Sequence, residues 1–232
     1  MEENFAECAG VAIESGITWR LQMNKELELL KLAKLRQESR YDGYNTIADY
    51  VDGFYECDYV SPYSKSAHNV NTEVFVILQD WSSDENIRIK CDETNMLGYS
   101  PNVGTNKKLI KLLKDYLSLE LKETYTTNLF PFIKMGGISA RIPIKDMRKA
   151  AKEFTLPMIK IVNPKIAIAL GKKTFIALFD SCENITDATK DSFKYGNTII
   201  FHQPHPAARI PNTEKEKKWK EMKYYLNSIN RK

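Results

Sequence analysis

Val74-Phe75-Val76-Ile77-Leu78 is an unbroken apolar run, halted by Gln79-Asp80-Trp81-Ser82. A strand with one wet face alternates apolar and polar residues, whereas a continuous run rich in branched side chains marks a strand buried on both faces. Three more strand candidates follow: the short Tyr125–Phe130, the buried run Ile166-Ala167-Ile168-Ala169-Leu170 closed by Gly171, and Thr198-Ile199-Ile200-Phe201. Helical periodicity separates them. Residues 105–119 place Leu109, Leu112, Leu113 and Tyr116 on one face, and residues 144–162 form a second helix that Pro157 is expected to end or kink. A short helix follows Gly171, and a last one opens at Thr213 with a capping box, Thr213-x-x-Glu216, and an apolar stripe of Trp219, Met222, Leu226 and Ile229. This alternation predicts a three-layer α/β/α sandwich around a central four-stranded parallel sheet.

Upstream, residues 18–40 read as helix, with Leu21, Leu27, Leu30 and Leu35 among Lys and Glu, and 41–70 are rich in Tyr, Asp, Ser and Gly. The chain therefore divides into an N-terminal helical and loop extension, 1–70, and an α/β domain, 71–232. Its 232 residues are 43% hydrophobic, too apolar for a disordered chain. The net charge of +4 conceals −5 over residues 1–70 and +9 over 71–232. A basic body points to an anionic partner, nucleic acid first, with the acidic extension on the face away from it. No apolar run approaches the roughly 20 residues of a membrane span, and the acidic start lacks the order of a secretory signal. Cys8, Cys57, Cys91 and Cys182 are scattered, without a C-x-x-C pair. A soluble cytoplasmic monomer with reduced thiols is expected, with no metal and no cofactor.

Sites in such sheets gather at the carboxyl ends of the strands. Those ends carry Gln79-Asp80-Trp81-Ser82, Asn128-Leu129-Phe130-Pro131, Gly171-Lys172-Lys173-Thr174 and His202-Gln203-Pro204-His205-Pro206. Gly171-Lys172-Lys173-Thr174 is no phosphate loop, because Ile166 stands where the first glycine belongs. It reads as a Gly turn opening a helix whose amides and lysines suit a phosphate. A lone Asp after a strand is usually a cap, and a lone loop histidine is usually incidental. Two histidines within four residues, at the end matching Asp80, favour a site for acid–base or electrostatic chemistry. His202, His205 and Asp80 are metal-capable, but their proline-rich spacing matches no metal motif.

In sequence order these motifs resemble the uracil-DNA glycosylase superfamily over about residues 72–226. Val74–Asp80 with Trp81-Ser82 is similar to the strand ending Gly-Gln-Asp-Pro-Tyr. Gly98-Tyr99-Ser100-Pro101-Asn102-Val103-Gly104 is similar to the Gly-x-Pro-Phe-Val-Gly loop, and Thr127-Asn128 to the Thr-Asn closing the second strand. Asn163-Pro164-Lys165 through Leu170-Gly171 resembles the Pro-Lys-(apolar)-Leu-Gly stretch, and His205-Pro206-Ala207-Ala208-Arg209 the His-Pro-Ser motif with its DNA-inserting loop.

The resemblance implies a glycosylase that flips a nucleotide from DNA and hydrolyses its N-glycosidic bond, leaving an abasic site. Asp80 then stabilises the cationic sugar and orients water, and His205 donates to the departing base. Asn128 reads a base edge, assisted by Gln79, Trp81, Ser82 and Asn102. Arg209 and Ile210 wedge the duplex, while Lys172 and Lys215 hold phosphates. Ser82 replaces the Tyr that crowds the base's 5-position, and Asn102 replaces a stacking Phe. Both changes imply a bulky 5-substituted pyrimidine, such as the modified cytosines removed by anti-phage members. Leu78 occupies the place of the family's leading Gly, and Asp84 and Glu85 are reserve carboxylates by alignment with other branches. No lysine aligns as an imine-forming nucleophile, so a monofunctional enzyme is expected. The alternatives are uracil or mismatch repair, a non-catalytic DNA-binding module on the same fold, and, most weakly, a nucleotide-handling enzyme.

Overall fold

The structure, a computed structural model, describes residues 3–229, with side chains from residue 20 onward. In chain order, α1 (Glu3–Glu38) leads to a two-residue strand, β1 (Tyr44–Asn45), and a series of 3-10 turns ending in Pro62–Lys65. There follow β2 (Val74–Asp80), α2 (Asp84–Ile87), α3 (Asp92–Leu97), α4 (Gly104–Leu112), β3 (Tyr125–Phe130) and β4 (Ile133–Lys134). The chain continues through α5 (Ile144–Ala150), α6 (Leu156–Val162), β5 (Ile166–Leu170) and α7 (Lys172–Phe179). It closes with β6 (Ser192–Tyr195), β7 (Thr198–Gln203) and α8 (Asn212–Ile229). No described helix is long and apolar enough to cross a membrane.

The fold is mixed α/β, with a mostly parallel sheet in the order β3-β2-β5-β7-β6. The four strand candidates form its parallel part, with Leu78 beside Asn128 and Ile77 beside Ala169. The expected four strands become five, because β6 adds antiparallel to β7, placing Lys194 opposite Ile199. Ser192-Phe193-Lys194-Tyr195 buries only Phe193, so a short edge strand leaves no apolar run to read.

Alternation along the strands feeds two cores. Phe75, Ile77, Ala167, Ala169 and Ile200 pack with Met147, Ala150, Phe154 and Leu178 on one face. Val74, Val76, Leu78, Ile166, Ile168 and Leu170 meet Leu109, Leu113, Trp219, Met222 and Leu226 on the other. Helices therefore cover both faces, as strands without a polar side require. Each large side chain fully buried there stabilises the fold by about 1.5–3 kcal/mol.

Two local readings change. Pro157 does not end its helix, but the α-helical hydrogen-bond pattern is interrupted just before it. A π-helical turn at Ala151–Thr155 joins α5 to α6 and leaves Pro157 in the first turn of α6. The wider turn accommodates a residue that lacks an N–H and crowds the carbonyl four positions back. In α8, the helix starts at Asn212, and the Pro211 carbonyl accepts from the Glu214 and Lys215 amides at 3.2 and 3.4 Å. Thr213 thus lies inside the first turn instead of capping it.

The leucines that signal α1 are not those that anchor it. Leu21, Leu27, Leu30 and Leu35 are exposed, while Leu29, Ala33 and Arg36 turn inward at i, i+4 and i+7. The Arg36 guanidinium, fully buried, donates to Glu56 at 2.7 Å and to the Cys57 and Tyr59 carbonyls at 2.8 Å. Lys25 Nζ donates to the Val70 and Val162 carbonyls at 3.0 Å. Downstream, Tyr41 and Val60 enter one sheet core and Tyr63 and Ala67 the other. β1 also pairs antiparallel with β4, Tyr44 opposite Lys134 and Asn45 opposite Ile133.

Candidate active site

The carboxyl ends of β2 and β3 and the segment after β7 open onto one cavity of about 850 Å³. Gln79, Asp80, Trp81, Ser82, Asn128 and His205 all line it, so residues 125 positions apart in sequence face a common space. Parallel strands make this inevitable. Each chain leaves its strand at the same edge, and the polar residues that stop the apolar runs collect there.

Asp80 is nearly buried, its side chain 8% exposed, and both oxygens are engaged. Oδ1 accepts from Gln79 Nε2 at 2.7 Å, and Oδ2 lies 2.7 Å from the ammonium of Lys134, itself 4% exposed. Lys134 Nζ also donates to the Ile138 carbonyl at 2.6 Å. A cation this buried would be costly without such partners. β4 carries Lys134 in an isolated sheet with β1, and Ser83 bridges to it. Through β1, the N-terminal segment therefore helps hold one of the two charges of the pair in the cavity wall.

His205 is half-buried, and its Nδ1 accepts the Ala207 N–H at 3.2 Å. An acceptor at Nδ1 places the neutral ring's proton on Nε2. Burial pushes the imidazole below its usual range. Nearby Asp80 pulls it back up, and Lys215 adds a further push down. A neutral imidazole with an Nε2–H donor results. Among the described residues, no hydrogen bond to that Nε2 occurs.

Asn128 is 1% exposed, and its Oδ1 accepts from Ser61 Oγ at 2.6 Å. Its amide group is thus oriented, with Nδ2–H left to serve a ligand. Trp81 Nε1 donates to the Gly98 carbonyl at 2.8 Å, and its ring meets Tyr55 edge-on at 5.5 Å. Gly98 tolerates no other residue: its φ is +76°, and a Cβ there would fall 1.8 Å from the Pro62 carbonyl oxygen. Beyond it, Tyr99 stacks on Tyr63 at 5.0 Å, and both line the cavity. Burial raises the Tyr63 phenol well above its usual range, so it stays a neutral donor and bonds Asn106 Oδ1 at 3.2 Å.

Other expectations fall elsewhere. Asn102 is exposed and outside the cavity lining, because the 98–104 loop turns Tyr99 and Ser100 inward. The aromatic surface on this side of the cavity is the stacked pair of Tyr99 and Tyr63. Neither Asp84 nor Glu85 lines the cavity. Arg88 and Tyr50 bind the Asp84 carboxylate at 2.7–2.8 Å and hold it below its usual range, and Glu85 is exposed. His202, one residue inside the end of β7, packs its ring 5.4 Å from Phe175 and pairs with Asp191. The metal-capable trio of His202, His205 and Asp80 is therefore not assembled. Lys172 and Arg209 are exposed and Ile210 half-buried, all outside the lining, which takes Lys173 and Arg141 instead. Lys215 Nζ donates to the Ala208 carbonyl at 2.6 Å, bracing the loop that carries His205.

The acidic segment does not lie wholly away from the site, since Tyr55 and Tyr63 are part of the wall. Sequence reading missed these two tyrosines and Lys134. The available signal for Lys134 is a single charge ending Leu129-Phe130-Pro131-Phe132-Ile133, an apolar stretch in which a lysine must find a partner. No protein-family model matches this chain, and no curated protein matches it.

Proposed function

We propose that this protein is a DNA glycosylase of the uracil-DNA glycosylase type that hydrolyses the N-glycosidic bond of a flipped, bulky 5-substituted pyrimidine. One observation carries the reading: Asp80, Asn128 and a neutral His205, from three separate strand ends, line a single cavity. As the bond from C1′ to the base breaks, the sugar becomes cationic and the base anionic. The His205 Nε2–H is suited to donate to the base oxygen where that charge collects. Asp80 is suited to hold and activate the water that attacks C1′. Its pairing with Lys134 cancels much of its charge, which favours water orientation over electrostatic stabilisation of the sugar. Asn128 offers an N–H to an acceptor on the base edge.

A bulky base is supported by space and chemistry. Ligand pockets span about 300–1,000 Å³, and about 850 Å³ leaves room for a substituent beyond nucleotide and water. Ser82, and Thr94 and Ser100 hydrogen-bonded to each other at 2.9 Å, bring hydroxyls to the lining for a hydroxylated or glycosylated group. Lys173 and Arg141 on the same wall are placed for flanking phosphates. A cytoplasmic defence role against phage with modified DNA follows from this substrate class.

The test is mass spectrometry of bases released from uracil-containing, hydroxymethylated and glucosylated DNA. A released modified cytosine, lost in Asp80→Asn and His205→Ala, is the expected outcome. Full release by both variants sinks the reading, and salt-sensitive binding with no release by the wild type leaves only a DNA-binding module.

A further inference from the structure

Lys134 is a primary amine in the wall of the cavity, 2.7 Å from the carboxylate assigned to the C1′ side of the substrate. A structural ion pair accounts for its burial but not for its position. The pair sits in the cavity wall, and among the described residues the ammonium's other hydrogen-bond partner is the carbonyl of Ile138, an exposed residue. Because Nζ lies 2.7 Å from Asp80 Oδ2, a nucleotide bound with C1′ against Asp80 would also have that carbon next to the Lys134 amine. Base hydrolysis turns C1′ into a hemiacetal in equilibrium with an aldehyde, and an amine whose neighbouring carboxylate can take its proton as general base is able to form an imine there.

We propose that Lys134 gives the protein a second activity, β-elimination at an abasic site through an imine on C1′. The proposal rests on the glycosylase reading for its substrate class. Asp80 accepts a proton from the Lys134 ammonium, and the freed lone pair of Nζ attacks the C1′ aldehyde. The resulting carbinolamine loses water, its hydroxyl taking the proton back from Asp80, and a protonated imine remains. Asp80 then removes a C2′ proton. The electrons of that C–H bond form the C2′–C3′ double bond, and the C3′–O bond breaks to expel the 3′ phosphate. Water hydrolyses the conjugated imine, restoring the Lys134 amine and leaving an unsaturated aldehyde on one strand end and a 5′ phosphate on the other. No oxidant, metal or cofactor enters the balance.

The probe is a duplex oligonucleotide with a preformed natural abasic site, incubated with the full-length protein and sodium cyanoborohydride. The expected result is a covalent protein–DNA adduct whose peptide map places the reduced linkage on Lys134. A tetrahydrofuran analogue, which has no C1′ aldehyde, gives none. K134R keeps a positive charge beside Asp80 and should lower the adduct to background while its thermal melt shows a folded protein. Absence of a wild-type adduct overturns the proposal, as does an adduct mapped to Lys173, the other lysine of the cavity wall. The wild-type map decides the matter even if K134R does not fold. Base removal is bypassed by the preformed site, so the two readings fail separately. Base release without an adduct removes the lyase step alone, and an adduct without base release removes the glycosylase reading alone.

Discussion

Two clusters in this molecule are built from the same three residue types. Asp80, Lys134 and His205 share the large cavity, while Asp191, Lys218 and His202 line a recess of about 320 Å³ near the antiparallel edge of the sheet. In the second cluster the groups satisfy one another. Asp191 Oδ1 accepts from Lys218 at 2.6 Å and pairs with His202 Nδ1 at 3.1 Å, and Lys218 lies 3.5 Å from the same ring nitrogen. Burial raises the Asp191 carboxyl, but Lys218 and His202 outweigh it and hold the group below its usual range. In the first cluster the backbone takes the inner nitrogen of His205, so its outer N–H is turned over to the cavity. Composition does not separate these clusters. The use of the ring's Nδ1 does: a backbone N–H holds it in the first cluster, a carboxylate and an ammonium in the second.

The comparison breaks most readily at the carboxylates. Asp80→Asn should cut base release by about 10²–10⁴-fold, the usual contribution of a positioned acid–base group, whereas Asp191→Asn should leave it within about threefold. Stability should diverge as well. Removing one partner of a buried pair costs about 3–5 kcal/mol, and the Asp80 and Lys134 side chains are 8% and 4% exposed. Asp191 is 43% exposed, a setting where pairs contribute about 0–1 kcal/mol. Denaturant melts measure both, and equal losses would erase the distinction. In the double variant Asp80→Asn, Lys134→Met, stability should return toward wild type while base release stays lost.

The histidines come next. His205→Ala should lower the release rate by about 10²–10³-fold, the loss typical of one donor to a developing anion. His202→Ala should not change it beyond about twofold, and single-turnover assays that gave similar losses would place both histidines in one site. Smallest is a pH effect. Because burial lowers His205 below the ordinary 6.5, the unfolded chain takes up the proton first. This contribution is complete above pH 6.5 and is lost as pH falls toward the lower folded value. Wild type should therefore lose melting temperature relative to His205→Gln in that window, and a constant gap would refute the neutral buried imidazole.

Much of the frame was legible in local pattern. Three of the four parallel strands follow from apolar runs, because burial on both faces writes itself into consecutive residues. Asp80, Asn128 and His205 were legible for a related reason: the residues that end buried strands of one parallel sheet must meet at its edge. β6 was not, since four residues with one buried side chain carry no period. The Tyr99 platform was not either, because loop sequence does not state which side chain turns inward.

The sequence by itself thus determined the parallel sheet, its helical cover and the polar ends that converge on the cavity. Tertiary structure decided that Ser61 orients Asn128, that Tyr55 and Tyr63 complete the wall, and that Lys134 faces Asp80. Those contacts join residues 54 to 67 positions apart or bring an acidic leading segment against a basic body. Periodicity records only whether a residue is buried, and never which distant residue it is buried against.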